Sequence, residues 1–120
     1  SMRMRQPQLM PLLGGKDPVE LDTLAGSRVH AVAGIGNPRR FFELLRRHGL
    51  DLTEHRFPDH HPFEPGEIRF DDELPVIMTE KDAVKCESFA DKRHWALMVG
   101  AKPDTRLMKR LTDWLENEIG

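Results

Sequence analysis

Arg28-Val29-His30-Ala31-Val32-Ala33-Gly34-Ile35-Gly36-Asn37-Pro38-Arg39-Arg40-Phe41-Phe42-Glu43-Leu44-Leu45-Arg46-Arg47-His48-Gly49 decides the fold of this chain. Val29 to Ile35 is apolar except for His30. Three of its residues (Val29, Val32 and Ile35) are β-branched, which predicts a buried strand. Gly34-Ile35-Gly36-Asn37-Pro38 then makes a tight turn. Asn37 suits an N-cap and Pro38 the first helical position. The helix runs to His48, with Phe41, Phe42, Leu44 and Leu45 on the core face and Arg39, Arg40, Arg46 and Arg47 outward. Gly49 supplies the left-handed residue that ends it.

The same alternation continues downstream. Leu50 to Phe57 reads as a second strand, and Glu64 to Phe70 as one or two helical turns. Pro75 to Thr79 is a third strand. Thr79 and Asp82 have capping-box spacing, so a helix starts there and turns Ala83, Val84 and Phe89 inward. Trp95 to Val99 is a fourth strand. Pro103-Asp104 opens a last helix, where Leu107, Met108, Leu111, Trp114 and Leu115 keep helical spacing. Strand and helix alternating in this way predict an α/β fold: a small, mainly parallel, Rossmann-like sheet of about four strands with helices on both faces.

Upstream, residues 3 to 27 are punctuated by Pro7, Pro11, Gly14, Gly15 and Pro18. Only Leu9 to Leu13 reads as a short strand there, placed at a sheet edge by Pro11. Val19 to Asp22 begins a short helix that ends near Gly26. The expected division is an irregular or β arm over 1–27 and an α/β domain over 28–120. Ser1-Met2 reads as a tag remnant, so the chain is expected to be a piece of a longer protein.

At 120 residues the chain makes one compact unit with a core large enough to need no disulfide. Its single cysteine, Cys86, agrees with a reducing compartment. A formal charge of -2 gives no basic field for nucleic acid. No apolar run has the length of a membrane span, and the N-terminus lacks a signal-peptide core.

Phe57-Pro58-Asp59-His60-His61-Pro62-Phe63 places a carboxylate and two imidazoles between prolines at a strand end. The prolines forbid helix and block ladder pairing, so the polar groups sit on a stiff turn. A carboxylate beside a histidine orients the ring and raises its basicity, as proton transfer requires. The competing reading is a turn in which Asp59 caps the next segment and both histidines are merely wet. Asn37 and the Thr79-Glu80-Lys81-Asp82 turn share this functional edge. Lys81 and Lys85 repel one another across one helical turn, which hints at an anionic partner.

Weaker patterns are set aside. Gly34-x-Gly36 lacks the third glycine of a dinucleotide fingerprint, and strand-to-helix punctuation explains it better. Gly14-Gly15-Lys16-Asp17 is no phosphate-binding loop. His30, His55, His94 and Cys86 have no diagnostic metal spacing. Cys86 lies too far into its helix to be an activated nucleophile. The arginine faces, and the basic run through Arg106, Lys109 and Arg110, read as solvated or as touching anionic headgroups.

Three blocks taken together resemble the C-terminal part of tetraacyldisaccharide 4'-kinase, the lipid A 4'-kinase of Gram-negative bacteria. They are Ala33-Gly34-Ile35-Gly36-Asn37-Pro38 with Arg40-Phe41-Phe42, then Phe57-Pro58-Asp59-His60-His61, then Met78-Thr79-Glu80-Lys81-Asp82-Ala83-Val84-Lys85-Cys86. The resemblance covers Val29 to about Val99, and less clearly the arm and the last helix. It implies a parent enzyme that moves the ATP γ-phosphate to the 4'-hydroxyl of a tetraacylated disaccharide 1-phosphate at the cytoplasmic face of the inner membrane. An N-terminal P-loop domain supplies the lysine, the Mg2+ ligands and a catalytic aspartate, and Gln6 to Leu13 resembles part of the link to it.

Carried onto this chain, the family's Asp-His motif implies His60 as the functional histidine. Family members agree at Asp-His more than at the next position, so His61 is the second choice. Asp59 buttresses the ring, and Asn37, Thr79, Glu80, Lys81 and Asp82 lie near substrate or nucleotide. Without a P-loop, this piece is expected to bind no ATP or metal and to turn over no substrate by itself. Two other classes stay open: a stand-alone module that binds a small anion at the same edge, and a hydrolase using Asp59 and His60.

Overall fold

The computed structural model describes residues 6–14 and 16–99. The element order is β1 (Gln8–Pro11), β2 (Val19–Glu20), β3 (Arg28–Ala33), α1 (Arg39–Arg47), β4 (Asp51–Arg56), β5 (Val76–Thr79), α2 (Glu80–Cys86) and β6 (His94–Met98). The strands form one six-stranded sheet in the order β2-β1-β6-β5-β3-β4. β4, β3, β5 and β6 run parallel, and β1 and β2 add on antiparallel beyond β6. The fold is therefore α/β, but the sheet is mixed and has six strands where about four, mainly parallel, were expected. The arm accounts for the difference: of the irregular or β arm that was expected it takes the β form, with β1 inside the sheet and β2 at its edge. Leu9, Leu12 and Leu21 are all buried in the common core.

Pro11 does not make β1 an edge strand. Leu12 N–H donates to His94 O at 3.0 Å. Backbone groups alternate along a strand, so the nitrogen of residue 11 turns the other way. There β2 has already ended, its pairs being Gln8↔Glu20 and Leu9↔Val19. The missing proline donor thus costs no ladder bond. Val19 to Leu24 is β2 followed by a 3-10 turn (Leu21–Leu24), not an α-helix.

Two apolar layers sandwich the sheet because strand side chains alternate in direction. Val29, Ala31, Ala33, Ile77 and Leu97 pack under Phe41, Phe42 and Leu45 of α1. Val32, Val76, Met78, Ala96 and Met98 face the other way, against Ala83 and Cys86 of α2 with Phe63 and Ile68. Small residues at 31 and 33 make room for the two phenylalanines. Among the described elements, one helix covers each face, as the alternation predicted. The last helix, expected from Pro103, lies outside the described residues.

α1 begins at Arg39, one residue later than expected. Its N-cap is Pro38, which makes no side-chain cap, so Asn37 does not cap the helix. The other end is as read: Gly49 has φ 88°, a backbone that glycine adopts without steric cost.

The order of strands locates the site. From β3 the chain moves through α1 to β4 on one side, then crosses back to β5 on the other side of β3. The ends of β3 and β5 thus flank the point where the winding reverses, and α1 and α2 leave to opposite faces. In sheets of this kind a crevice opens there. One carboxylate bridges it. Asp82, 0% exposed, accepts Gly34 N–H at 2.8 Å and the Thr79 hydroxyl at 2.8 Å. Thr79 Oγ1 in turn accepts Asp82 N–H at 3.2 Å and caps α2. Gly34 is confined as well: a Cβ there would meet the Phe63 ring at 3.0 Å.

Asp82→Ala leaves Gly34 N–H buried without a partner and removes half of the cap. It is expected to destabilise the fold by about 2–4 kcal/mol, read as a lower urea midpoint with unchanged m. Wild-type stability in that variant would show that the bridge is not structural.

Candidate functional site

The Pro58–His61 turn is built directly on the end of β4. Phe57 N–H donates to Ala33 O at 2.9 Å, continuing the parallel pairing one residue past the strand. His61 N–H then closes the turn on Pro58 O at 3.0 Å. Within it His60 holds φ 64°, the left-handed region that a residue with a Cβ enters at a cost of about 1–2 kcal/mol.

The two histidines have different environments. His61 is a packing residue: its ring stacks on Phe57 at 4.8 Å and meets Phe63 edge-on at 5.0 Å. Its Nε2 bonds the Glu67 carboxylate at 2.8 Å. Glu67 also accepts the Glu64 N–H, and these two bonds hold its carboxyl below the ordinary range, the backbone bond contributing most. His60, by contrast, has 79% of its side chain exposed and sits 3.5 Å from an Asp59 carboxylate oxygen. Asp59 lies above the β3–α1 turn, where a Cβ on Gly36 would stand 3.5 Å from its Oδ2.

Asp59 and His60 share a hollow of about 290 Å³ with Gly34, Ile35, Lys81, Val84 and Lys85. Three loop ends therefore meet along one rim, after β3, β4 and β5. Lys85 Nζ stands 3.5 Å from His61 O and 6.0 Å over the Phe63 ring. On the α1 side of the same rim lies an apolar hollow of about 310 Å³ between Phe41, Leu44, Leu97 and Val99, edged by Arg40 and Lys81.

Other sequence candidates are placed as follows. Asn37 is exposed on the turn before α1. Thr79 and Asp82 are committed to the bridge and cap, so they shape the rim from beneath. Glu80 and Lys81 stand at the start of α2, Lys81 exposed. The Gly34 amide is occupied by Asp82, which leaves the Gly34-x-Gly36 turn without that donor for a phosphate. Burial, with Asp82 second, pushes the Cys86 thiol up to about 12, and the residue is inert as a nucleophile. His94 donates through Nε2 to Ile68 O at 2.6 Å and takes Asp91 N–H on Nδ1 at 2.9 Å.

One polar cluster escaped the sequence reading. His30 Nε2 bonds Asp72 at 2.9 Å, and His30 Nδ1 lies 2.9 Å from His55 Nε2. Phe70 stacks on both rings, at 3.9 and 4.4 Å. These partners come from β3, β4 and the segment before β5, and no local spacing signals their meeting.

A mixed sheet covered on both faces, with exposed polar groups gathered at the carboxyl ends of its four parallel strands, defines an α/β domain, and its 120-residue sequence contains no Gly-x4-Gly-Lys-Ser/Thr loop. The family model for tetraacyldisaccharide-1-P 4'-kinase matches residues 1–118. The chain belongs to that family. It is 52% identical over 98 residues to the tetraacyldisaccharide 4'-kinase of Alkalilimnicola ehrlichii, covering 82% of this chain and 28% of the relative. The corresponding protein of Alcanivorax borkumensis is 54% identical over 86 residues, covering 72% and 26%. That of Xanthomonas campestris is 44% identical over 115 residues, covering 96% and 32%. The chain thus spans about a quarter to a third of these relatives. No solved structure matches it significantly.

Asp59 is the one carboxylate lining the lower hollow, and no group of three His, Cys, Asp or Glu among the described residues is arranged to hold a metal.

The His30–His55 pair makes stability depend on pH. Burial first, then the neighbouring His30, pushes His55 below its ordinary value of 6.5. The unfolded chain then takes up a proton that the folded chain resists. The contribution is present above pH 6.5 and is lost as pH falls through it. Urea midpoints are expected to drop between about pH 7.5 and about pH 5.5. His55→Gln should flatten that drop; an unchanged slope would refute the assignment.

Proposed function

We propose that this chain is the C-terminal α/β part of a tetraacyldisaccharide 4'-kinase, and that its rim closes over the active site of a phosphate-clamping domain elsewhere in the protein. The reaction moves the ATP γ-phosphate to the 4'-hydroxyl of a tetraacyldisaccharide 1-phosphate. Family membership supports the activity, and the switch-point position of the rim supports the placement. ATP and Mg2+ are held by the other domain, and this chain turns over no substrate by itself. Residues 6–13 lead toward that domain. The enzyme works at the cytoplasmic face of the inner membrane, where ATP and its lipid substrate meet.

The observation that carries the proposal is His60. An exposed ring on a strained backbone, at the meeting point of three loop ends, gains nothing for packing; strain of this kind concentrates at functional sites. In the closed enzyme His60 orients a carboxylate of the other domain that accepts the 4'-hydroxyl proton, and Asp59 holds the imidazole in position. His61 keeps the turn in shape through Phe57 and Glu67. The hydrolase reading has no comparable support, since no nucleophilic side chain stands beside Asp59 and His60 among the residues lining the hollow.

Activity and stability should separate at residue 60. His60→Ala in the full-length kinase is expected to lower kcat by about 10²-fold, with little change in the KM for either substrate. His60→Gly should lose the same activity yet gain up to about 1 kcal/mol of stability. Relief of the left-handed backbone, about 1–2 kcal/mol, exceeds glycine's extra chain entropy of about 0.5–1 kcal/mol. Steady-state kinetics beside thermal unfolding read both effects. Full activity in either variant would end this role for the ring.

A further inference from the structure

We infer that the hollow between the Pro58–His61 turn and α2 is a phosphate subsite, in which Lys81 and Lys85 receive the non-bridging oxygens of a terminal phosphate beside the His60 ring. Lys81 and Lys85 are one helical turn apart, so both ammonium groups serve the same face. Both line the hollow with His60. Neither makes an ion pair within 4.0 Å among the described residues; Glu67 is engaged with His61 and Asp82 with Gly34.

Lys85 is also held in place. The His61 carbonyl at 3.5 Å and the Phe63 face at 6.0 Å position its ammonium beside the hollow. A cation already ordered loses less freedom on binding. The walls, Gly34, Ile35 and Val84, are small or apolar and add no competing charge. Asp59 is the single anionic lining residue, and it lies 3.5 Å from His60 Nε2. A phosphate dianion answers the charge of both ammonium groups, whereas a carboxylate brings a single negative charge.

Two phosphates suit this chemistry under the kinase reading: the tail of a nucleotide and the 1-phosphate of the sugar lipid. The inference rests on that reading for the owner of the phosphate, but binding itself can be measured without catalysis. The 120-residue chain would be titrated separately with inorganic pyrophosphate and with glucosamine 1-phosphate, following backbone amides by NMR. Shifts are expected at Gly34–Ile35, Asp59–His61 and Lys81–Lys85. Lys81→Ala with Lys85→Ala should weaken binding at least tenfold, and the paired arginine variant should stay within about threefold of wild type. Tighter pyrophosphate binding assigns the hollow to the nucleotide, and tighter sugar phosphate binding assigns it to the lipid headgroup. No shift at these amides, or shifts indifferent to loss of both lysines, would overturn the subsite. The His60 kinetics decide the kinase reading separately.

Discussion

The Asp82 carboxylate organises this domain. It bonds the Gly34 amide at the end of β3 and the Thr79 hydroxyl at the end of β5, across the line where the chain reverses its winding. Such a reversal normally leaves a crevice with unpaired backbone donors. Here one buried acid closes its base while also taking part in the start of α2. Both bonds, to an amide and a hydroxyl, fall on Oδ2, while Oδ1 is buried without a hydrogen-bond partner among the described residues. Because the bridge fixes both strand ends, the loops beyond them keep a constant spacing, and the rim residues inherit it.

Above this bridge the polar residues divide into support and working groups. His61, Thr79, Asp82 and Glu67 are consumed by internal bonds. His60, Asp59, Lys81 and Lys85 remain directed at open space on one side of the rim. On the other side the apolar hollow by Phe41, Leu44 and Val99 lies against the same loop ends. The rim is thus charged on one flank and apolar on the other.

Much of this was readable in the sequence, for reasons visible in particular residues. Val29 to Ala33, Gly49 and the Thr79–Asp82 spacing carry strong local signals, so the four parallel strands and both described helices were anticipated within a residue or two. The arm was not. β1 is short, carries Pro11 and is stabilised by pairing with β6, which lies more than seventy residues downstream, while β2 is two residues long and pairs with β1. Asn37 misled because the turn residue best suited to capping sits one position too early. Asp82 was read as a local cap, but its larger role, holding Gly34, crosses 48 residues. Which of the two adjacent histidines is free was also not legible, since it depends on Phe57, Phe63 and Glu67 converging on His61. The His30–His55–Asp72 cluster depends likewise on the register between neighbouring strands.

The central claim is that this rim closes over the phosphoryl-transfer centre of the longer protein. The most direct measurement is a crystal structure of the full-length kinase with a non-hydrolysable ATP analogue, reading where the residue-60 ring points. The account predicts the imidazole within hydrogen-bonding reach of a carboxylate of the nucleotide-bearing domain, on the side of the γ-phosphate. A ring directed into bulk solvent, with the Pro58–His61 turn on the outer surface of the closed enzyme, would contradict it.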